Sequence, residues 1–483
     1  MKQAIAAIST AQAPGGIGIV RISGEDSIAV AEQVFKPLGN KKLSEMKGYN
    51  AVFGEAFAVK TGMSKNISKI KNIKENDDIN TVANTGISTE KIDDAIALVF
   101  RAPKSYTGED VVELSCHGGL YVTKRLLEAV LQAGARPALA GEFTKQAFLN
   151  GKMDLTQAES VMGIISAGSE QAMREAVSGG EGRLSRRMNE FKLNLKDLAA
   201  HLAAWADFPD EDIPQVEENK LAGILAEIKE SISSLLSNFE TGRILREGVS
   251  AVIAGKTNAG KSTLMNLLSG CERSIVTNYE GTTRDVVEET VLLGDVPLRL
   301  QDTAGIREAD DPVEKIGIER SIERMQAAQL VFAVFDASRE LDTNDCFLLD
   351  SLNPENTVAV MNKTDLPPQI EREEIIKKFP CVVEISAETG LGLADLEKAV
   401  ADLLNTGNYD PSAGSLYTQR QKQDAQDAFG SISQALEAQQ MGMTLDAVTV
   451  CVEDALEALC RLTGERVSDA VVDEVFSKFC VGK

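Results

Sequence analysis

A short glycine-rich loop between two apolar segments constrains the fold of this chain more than any other feature. Residues 255–262 carry glycine, a glycine–lysine pair and a hydroxyl at the offsets of a phosphate-binding loop. The apolar run 249–254 predicts a buried strand before the loop, and residues 263–268 predict a helix after it. A strand and a helix joined in this way direct backbone N–H groups toward a phosphate. The sequence therefore predicts a P-loop nucleotide triphosphatase module.

The residues of this loop have distinct expected roles. Lys261 reaches the outer phosphates, and the hydroxyl of Ser262 binds Mg²⁺. The expected nucleotide contacts in this segment are Asn258, Ala259, Gly260, Lys261, Ser262 and Thr263.

A second motif indicates which base is bound. Asn362, Lys363, Thr364 and Asp365 follow the buried-strand pattern of residues 357–361. The carboxylate of Asp365 accepts hydrogen bonds from two donors of guanine, whereas adenine would leave a buried carboxylate unpaired. Ser386, Ala387 and Glu388 follow a third apolar run, where guanine-binding folds place a supporting loop. An isolated motif of this kind is typical of a surface turn, but its position behind the phosphate loop favours GTP.

Two segments between these motifs complete the expected GTPase. Asp302, Thr303, Ala304 and Gly305 follow the strand pattern of residues 298–301, where the carboxylate can join the Mg²⁺ shell; the alternative is a plain strand-end turn. Residues 281–285 have the character of a switch segment that offers a threonine hydroxyl to Mg²⁺. Ile306 stands where small signalling GTPases place a water-orienting glutamine, so another group must orient the water.

Motifs along the whole chain resemble one family. The order of the GTPase motifs, Ile306 and Asn258 carry the resemblance in the GTPase segment. Four further motifs carry it elsewhere, at residues 16–24, 106–110, 147–152 and 479–483. The chain resembles the MnmE family, also called TrmE, of potassium-activated tRNA modification GTPases. This resemblance implies a multidomain α/β and α fold. The implied parts are an N-terminal α+β folate-binding-type domain (1–145), a discontinuous all-α helical domain (146–246 and 406–483) and an inserted Ras-like P-loop GTPase domain (247–405).

The resemblance also implies the ligands of the GTPase site. K⁺ would be held by Asn258, Thr277, Tyr279 and Thr282, and Mg²⁺ by Ser262 and Thr283. Asn278, Glu280 and Gly281 would join the nucleotide contacts. Glu314 would orient the attacking water, with Asn258 and Thr283 as the other catalytic residues. Read without the family, Glu314 is an exposed charge in a first helical turn that begins near Pro312.

In the first domain the resemblance implies a site for 5-formyl- or 5,10-methylene-tetrahydrofolate. Arg21 and Lys152 would pair with a carboxylate or orient the pterin, Glu113 would accept two donors from the pterin, and Lys483 would complete the site. Read bare, each is an ordinary surface or strand charge. Cys480 has two interpretations, a thiolate that carries or activates a one-carbon unit and a small buried apolar side chain. Ala140, Gln146 and Thr257 depart from the usual proline, arginine and proline of the family.

The implied function is modification of transfer RNA. With an FAD-dependent MnmG-like partner, in a heterotetramer or larger complex, a homodimer would add an aminomethyl-type or carboxymethylaminomethyl group to carbon five of the wobble uridine. GTP hydrolysis would drive the two G domains together and gate this chemistry. The alternative is a regulatory G protein that binds the ribosome or assembly factors.

Composition bounds these expectations. The net charge of −23 disfavours the whole chain as a primary RNA-binding surface, so tRNA contact requires help from a partner. Seven cysteines without a CxxC pair, together with two histidines, give little support to zinc and favour reduced thiols in the cytoplasm. Residues 4–8 predict a strand and not a signal peptide, and no apolar run is long enough for a membrane span. Residues 60–91 lack strand or helix periodicity, and we expect an inserted mobile loop there.

Overall fold

The computed structural model describes residues 3–39, 41–61, 87–207, 218–270, 289–300, 325–407, 409–410 and 414–483. The chain forms two compact units. The first contains Met1–Ala158 and Arg466–Lys483, and the second contains Glu159–Glu465.

Strands and helices are numbered here in chain order within the described residues. The strands are β1 (Ile5–Ile8), β2 (Ile17–Ser23), β3 (Phe35–Pro37), β4 (Asn50–Thr61), β5 (Ile87–Phe100), β6 (Val111–His117), β7 (Arg136–Pro137), β8 (Val249–Gly255), β9 (Glu289–Leu293), β10 (Val296–Leu300), β11 (Leu330–Asp336), β12 (Thr357–Asn362) and β13 (Val382–Glu384). The α-helices are α1 (Ser27–Glu32), α2 (Leu120–Gln132), α3 (Glu142–Leu149), α4 (Leu155–Ser166), α5 (Glu170–Gly180), α6 (Arg183–Asp207), α7 (Glu218–Glu247), α8 (Lys261–Ser269), α9 (Thr343–Ser351), α10 (Arg372–Lys378), α11 (Leu393–Leu403), α12 (Gln419–Gln440), α13 (Leu445–Thr463) and α14 (Asp469–Ser477). Short 3₁₀ helices lie at Leu43–Glu45 and Pro354–Asn356.

The first unit is built on a seven-stranded sheet with the order β3-β4-β5-β6-β2-β1-β7. Its ladders are antiparallel except for the short β1–β7 pair. Alternate residues of β2 face opposite sides of the sheet. Val20 and Ile22 share a core with Leu126 of α2, whereas Arg21 lies on the other face, over the ring of Phe143 in α3. The sheet therefore separates an apolar core from the face that carries Arg21.

The structure corrects part of the expected loop at residues 60–91. The β4–β5 ladder continues to the pairs Lys60↔Ser88 and Thr61↔Ile87, so both ends of that segment are strand. Backbone hydrogen bonds hold such a ladder together without apolar side chains, which explains why periodicity did not reveal it. Residues 62–86 lie outside the described residues.

A six-stranded sheet in the second unit has the order β13-β12-β11-β8-β10-β9. It is parallel apart from the β9–β10 hairpin. Every residue of β11 and β12 is buried, as expected for parallel strands covered on both faces. Helices α8 and α11 contribute to the core on one face, and α9 and α10 to the core on the other. Strand β8 lies between β11 and β10, so the loop after it is at the switch point of the strand order.

Four further helices of the second unit, α6, α7, α12 and α13, share another core. Leu195 and Leu202 of α6, Ile232 of α7, Ile432 of α12 and Leu459 of α13 are all fully buried in it. Helices that precede and follow the six-stranded sheet in the chain therefore pack together, and the sheet module, residues 249–403, is inserted between them. This confirms the predicted fold class.

The expected domain boundaries stay a prediction, and the two units divide the chain differently. Residues 466–483 belong to the first unit, although we expected them in the helical domain. Among the described residues, none of the helices has the length and apolar character that crossing a bilayer requires.

Candidate functional site

The phosphate-binding loop connects β8 to α8 and requires glycine at its end. Gly260 precedes the first helical residue with φ of 98°, a left-handed conformation that side chains disfavour. A Cβ atom at this position would overlap the side-chain nitrogen of Asn362. The loop and the base-recognition motif are therefore in direct contact, and glycine makes that approach possible.

Lys261 is held at the loop by carbonyl groups. Its Nζ donates to the carbonyl oxygens of Gly255 at 2.8 Å and Lys256 at 2.7 Å. Burial lowers the pKa of Lys261 from its usual value. A phosphate placed over the loop would favour the charged ammonium, so this lysine is positioned to bind anionic ligands.

Asn362 links three segments of the site. Its Nδ2 donates to the carbonyl of Ala259 at 3.0 Å, and its Oδ1 accepts from the backbone N–H of Ala387 at 2.9 Å. The side chain is buried, so both bonds are shielded from water. Asn362 thus joins the phosphate-binding loop to the supporting loop that contains Ala387.

Lys363 makes a contact that the sequence did not predict. Its Nζ donates to Asp336 Oδ2 at 2.6 Å and to the carbonyl of Asn258 at 2.7 Å. Burial would raise the pKa of Asp336, but Lys363 and two hydrogen bonds from Ser338 outweigh it and hold that pKa below its usual value. The signal in the sequence was a carboxylate at the end of the apolar strand β11.

The base-recognition residues lie at the ends of β12 and β13. The backbone N–H of Thr364 donates to the carbonyl of Ile385 at 3.2 Å, which holds the two strand ends together. Ser386 is fully buried, whereas Asp365 and Glu388 are exposed. The carboxylate of Asp365 is therefore open to a ligand at this edge of the sheet.

The expected cation ligands lie partly within the described residues. Asn258, in a left-handed conformation with φ of 62°, and Ser262 are exposed at the loop. Amide, hydroxyl and carbonyl oxygens are the ligands that hard cations accept, so these residues fit such ions. The predicted residues of the GTPase site that lie outside the described part of the chain are Thr277, Asn278, Tyr279, Glu280, Gly281, Thr282, Thr283, Asp302, Thr303, Ala304, Gly305 and Glu314. The described part has no group of three or more His, Cys, Asp or Glu side chains arranged for a metal.

In the first unit, Arg21 and Glu113 form an ion pair across neighbouring strands. They are register partners of β2 and β6, and Nε of Arg21 lies 2.8 Å from Oε1 of Glu113. Both side chains are less than one-fifth exposed. The guanidinium also lies 5.7 Å from the ring centroid of Tyr106 and 5.5 Å from that of Phe143. The sequence did not predict roles for either ring, although Tyr106 belongs to a motif that indicated the family.

The end of the chain lies against this ion pair. The carbonyl of Gly482 accepts from Arg21 Nη1 at 3.3 Å and from the hydroxyl of Ser9 at 3.2 Å. The backbone N–H of Phe143 donates to the carbonyl of Lys483 at 3.2 Å. Arg21, Glu113 and Lys483, which are far apart in the sequence, therefore lie in one neighbourhood.

Two further predicted residues border this neighbourhood. Cys480 is partly exposed and has a free thiol. The backbone carbonyl of Cys480 accepts a hydrogen bond from the backbone N–H of Gly141 at 3.3 Å. Lys152 donates to the carbonyl of Pro103 at 3.0 Å, beside the loop that carries Tyr106. That tyrosine in turn shares a 2.9 Å hydrogen bond with Thr144 of α3.

Two family models match the chain. One, described as the MnmE helical domain, matches residues 155–480, and the other, described as the GTP-binding protein TrmE N-terminus, matches residues 4–152.

Curated relatives resemble the chain along its whole length. The tRNA modification GTPase MnmE of Acetivibrio thermocellus is 39% identical over 482 residues, and that of Alkaliphilus metalliredigens is 40% identical over 482 residues. Each alignment covers 99% of both chains. Among solved structures, the G domain of the T. maritima FeoB iron transporter is 26% identical, with coverage of 32% of this chain and 98% of that one and a TM-score of 0.24. Aquifex aeolicus Era bound to GDP and AlF₄⁻ is 26% identical over 38% of this chain and 66% of that one, with a TM-score of 0.26.

Proposed function

The chain belongs to the MnmE family of tRNA modification GTPases and is a GTP hydrolase, and we propose that it modifies the wobble uridine of tRNA. The observation that carries this proposal is the full-length similarity. Relatives named tRNA modification GTPase MnmE align with both units of the chain, and not with the GTPase module alone. The product would carry an aminomethyl or carboxymethylaminomethyl group at carbon five, and the reaction would take place in the cytoplasm.

A tetrahydrofolate, as the 5-formyl or 5,10-methylene derivative, would supply the one-carbon unit. Arg21 and Lys152 would pair with its carboxylates, and Glu113 would accept hydrogen bonds from the pterin. The paired, mostly buried side chains of Arg21 and Glu113 support this role, because such groups are pre-organised for a ligand with both donors and acceptors. Lys483 would complete the site, since its backbone already contacts Phe143. A catalytic role of the Cys480 thiol is part of the same proposal.

At the GTPase site, Ser262 and Thr283 would hold Mg²⁺, and Asn258, Thr277, Tyr279 and Thr282 would hold K⁺. The two cations would offset the negative charge that develops on the phosphates. Glu314 would orient the attacking water. The exposed positions of Asn258 and Ser262 at the phosphate-binding loop support the assignments that fall within the described residues.

Hydrolysis would act as a gate and not as the modifying step itself. In a homodimer, two GTPase modules would approach and separate during turnover, and the flanking helices would follow. An FAD-dependent MnmG-like protein would join the dimer in a heterotetramer or larger complex. The net charge of −23 supports a partner that carries much of the RNA contact, because phosphate binding depends on clustered lysine and arginine.

Mass spectrometry of wobble uridines tests the proposal directly. Cells that lack this chain should lose the modified nucleoside, and the wild-type chain should restore it. Lys261→Ala should fail to restore it, whereas Lys378→Met, at an exposed ion pair with Asp350, should succeed. Unchanged nucleosides in the deleted strain would refute the proposal, and a concurrent defect in ribosome assembly would favour a regulatory G protein instead.

A further inference from the structure

Both connections of the GTPase module meet at one short helix of the second unit. The chain enters the module after α7, which ends at Glu247, and leaves it between α11 and α12. Arg246 lies in the last turn of α7, at the first connection, and Tyr409 and Tyr417 lie in the second connection. All three surround Glu175 of α5, and these four residues are called the hinge clamp below.

The carboxylate of Glu175 holds the two connections together. Its Oε1 accepts from Arg246 Nη1 at 2.7 Å and from the hydroxyl of Tyr409 at 2.6 Å. The side chains of Glu175 and Arg246 are 2% and 6% exposed. Arg246 also donates to the carbonyl of Tyr417 at 3.0 Å and lies 4.4 Å from the centroid of its ring. Arg246 therefore contacts both the helix and the outgoing connection.

The packing around the hinge clamp leaves little free space. A Cβ atom at Gly242 would lie 2.7 Å from the hydroxyl of Tyr409 and 2.8 Å from Arg246 Nη1. A Cβ atom at Gly163 would overlap the hydroxyl of Tyr417. Burial and the charge of Glu175 raise the pKa of Tyr409, so its phenol stays protonated and donates. Movement of either connection must therefore break partly buried hydrogen bonds to Glu175 or carry α5 with it.

The same helix also contacts the module at a separate point. Gln171, one turn before Glu175, donates through Nε2 to Asp295 Oδ2 at 3.0 Å. Asp295 lies in the turn between β9 and β10, and β10 ends at Leu300, two residues before Asp302, whose carboxylate was predicted to join the Mg²⁺ shell. Within the described residues, Oε2 of Glu175 and Oε1 of Gln171 are buried without a hydrogen-bond partner. Buried oxygens without a hydrogen-bond partner cost free energy, and each of these two can accept a hydrogen bond if α5 shifts.

We infer that the hinge clamp and Gln171 are positioning residues that transmit the state of the GTP site through α5 to the helical domain. This inference rests on the gating role proposed above. A displacement of β10 that depends on the nucleotide would carry Asp295 and Gln171 with it, and α5 would pass this displacement to Arg246 and Tyr409. Because the two contacts lie one turn apart on a rigid helix, α5 shifts as a unit.

Hydrogen exchange on the full-length protein tests this inference. Amide exchange would be measured by mass spectrometry without nucleotide and with GDP, aluminium fluoride and K⁺. In the wild type, nucleotide should change exchange in α8 and in α5. In Tyr409→Phe and Glu175→Gln, the change in α8 should persist, whereas the change in α5 should be lost. GTP turnover should stay within about two-fold of wild type in Tyr409→Phe, because no clamp residue belongs to the phosphate-binding loop or to the base-recognition motif.

Two control variants separate coupling from general destabilisation. Arg174→Gln removes an exposed ion pair with Glu170 on the same helix, and Ile432→Val weakens the helical core away from the hinge clamp. Both should keep the wild-type response of α5. If nucleotide still changed exchange in α5 in both clamp variants, or if that change disappeared equally in Ile432→Val, the inference about the hinge clamp would be overturned. The proposed gating would not be affected by that result. If nucleotide changed exchange in α8 but nowhere in the wild-type helical domain, the proposed gating would fail as well.

Discussion

Lys363→Met isolates the buried charge pair that holds the base-recognition motif. The substitution removes the ammonium from Asp336 and from the carbonyl of Asn258 but keeps an apolar stem of similar length. Loss of one partner from a buried ion pair costs about 3–5 kcal/mol. Lys363 is 28% exposed, and Ser338 still donates to Asp336 through its backbone and its hydroxyl. We therefore expect a smaller local loss of about 2–3 kcal/mol.

Native-state hydrogen exchange measures this loss without unfolding the whole multidomain chain. A loss of 2–3 kcal/mol corresponds to roughly 30- to 150-fold faster exchange of the amides in β11 and β12. Lys378→Met is the matched control, because the pair of Lys378 with Asp350 is longer, at 3.7 Å, and more exposed. Its effect should stay below about 0.5 kcal/mol.

A double-mutant cycle identifies the interaction as the cause. In an Asp336→Asn background, Lys363→Met should lose most of its effect, since the uncompensated charge is absent. If both lysine variants accelerated exchange equally, or if the effect of Lys363→Met survived in the Asp336→Asn background, the pair of Lys363 with Asp336 would not be what stabilises these strands.

Four further outcomes are expected. The pKa of Asp336 is lower in the folded protein than in the unfolded chain, where it is about 4. The ionised carboxylate therefore stabilises the fold above that pH, and this stabilisation is lost as pH falls through the lower folded pKa. The protection of β11 amides from exchange should fall in acid, and it should fall less in Asp336→Asn. Asn362→Ala leaves buried backbone groups of Ala259 and Ala387 unpaired, at about 1–3 kcal/mol each, so fluorescent GTP analogues should bind at least about tenfold more weakly. Asn258→Ala should abolish the difference between GTP turnover in K⁺ and in Na⁺, and equal wild-type rates in the two salts would contradict the cation assignment. Glu113→Gln should weaken calorimetric binding of 5-formyl-tetrahydrofolate about tenfold and leave GTP turnover unchanged.

Local patterns predicted the elements of the GTPase module well. The apolar runs before the three motifs form β8, β12 and β13, and no strand end differs from its prediction by more than one residue. The helix predicted at residues 263–268, after the phosphate-binding loop, lies within α8. These elements were predictable because strand burial and helix periodicity are properties of consecutive residues. The family was predictable from the sequence because its motifs are short and contiguous, and the matches to its family models confirm the prediction.

Contacts between distant residues were not predictable in the same way. Lys363 pairs with Asp336 because two parallel strands end at the same edge of the sheet, and a single sequence does not give their order. The packing of Gly482 against Arg21 depends on a return of the chain to its first unit. The hinge clamp likewise draws on three separate segments. In each case the fold, and not the local pattern, determines which charge meets which partner.

The position of Gly482 has a consequence for the order in which the protein is made. A Cβ atom there would overlap the carbonyl of Ile8, so the last residues fit closely against one of the first strands. The entire second unit is translated between these two parts of the first. When the strands of the seven-stranded sheet have left the ribosome, Gly482 has not yet been translated. Arg21 therefore lacks that hydrogen-bond acceptor at this stage. The contacts around Arg21 and Glu113 are completed only after the GTPase module has been synthesised, so a nascent chain truncated before Gly482 would carry the module without them.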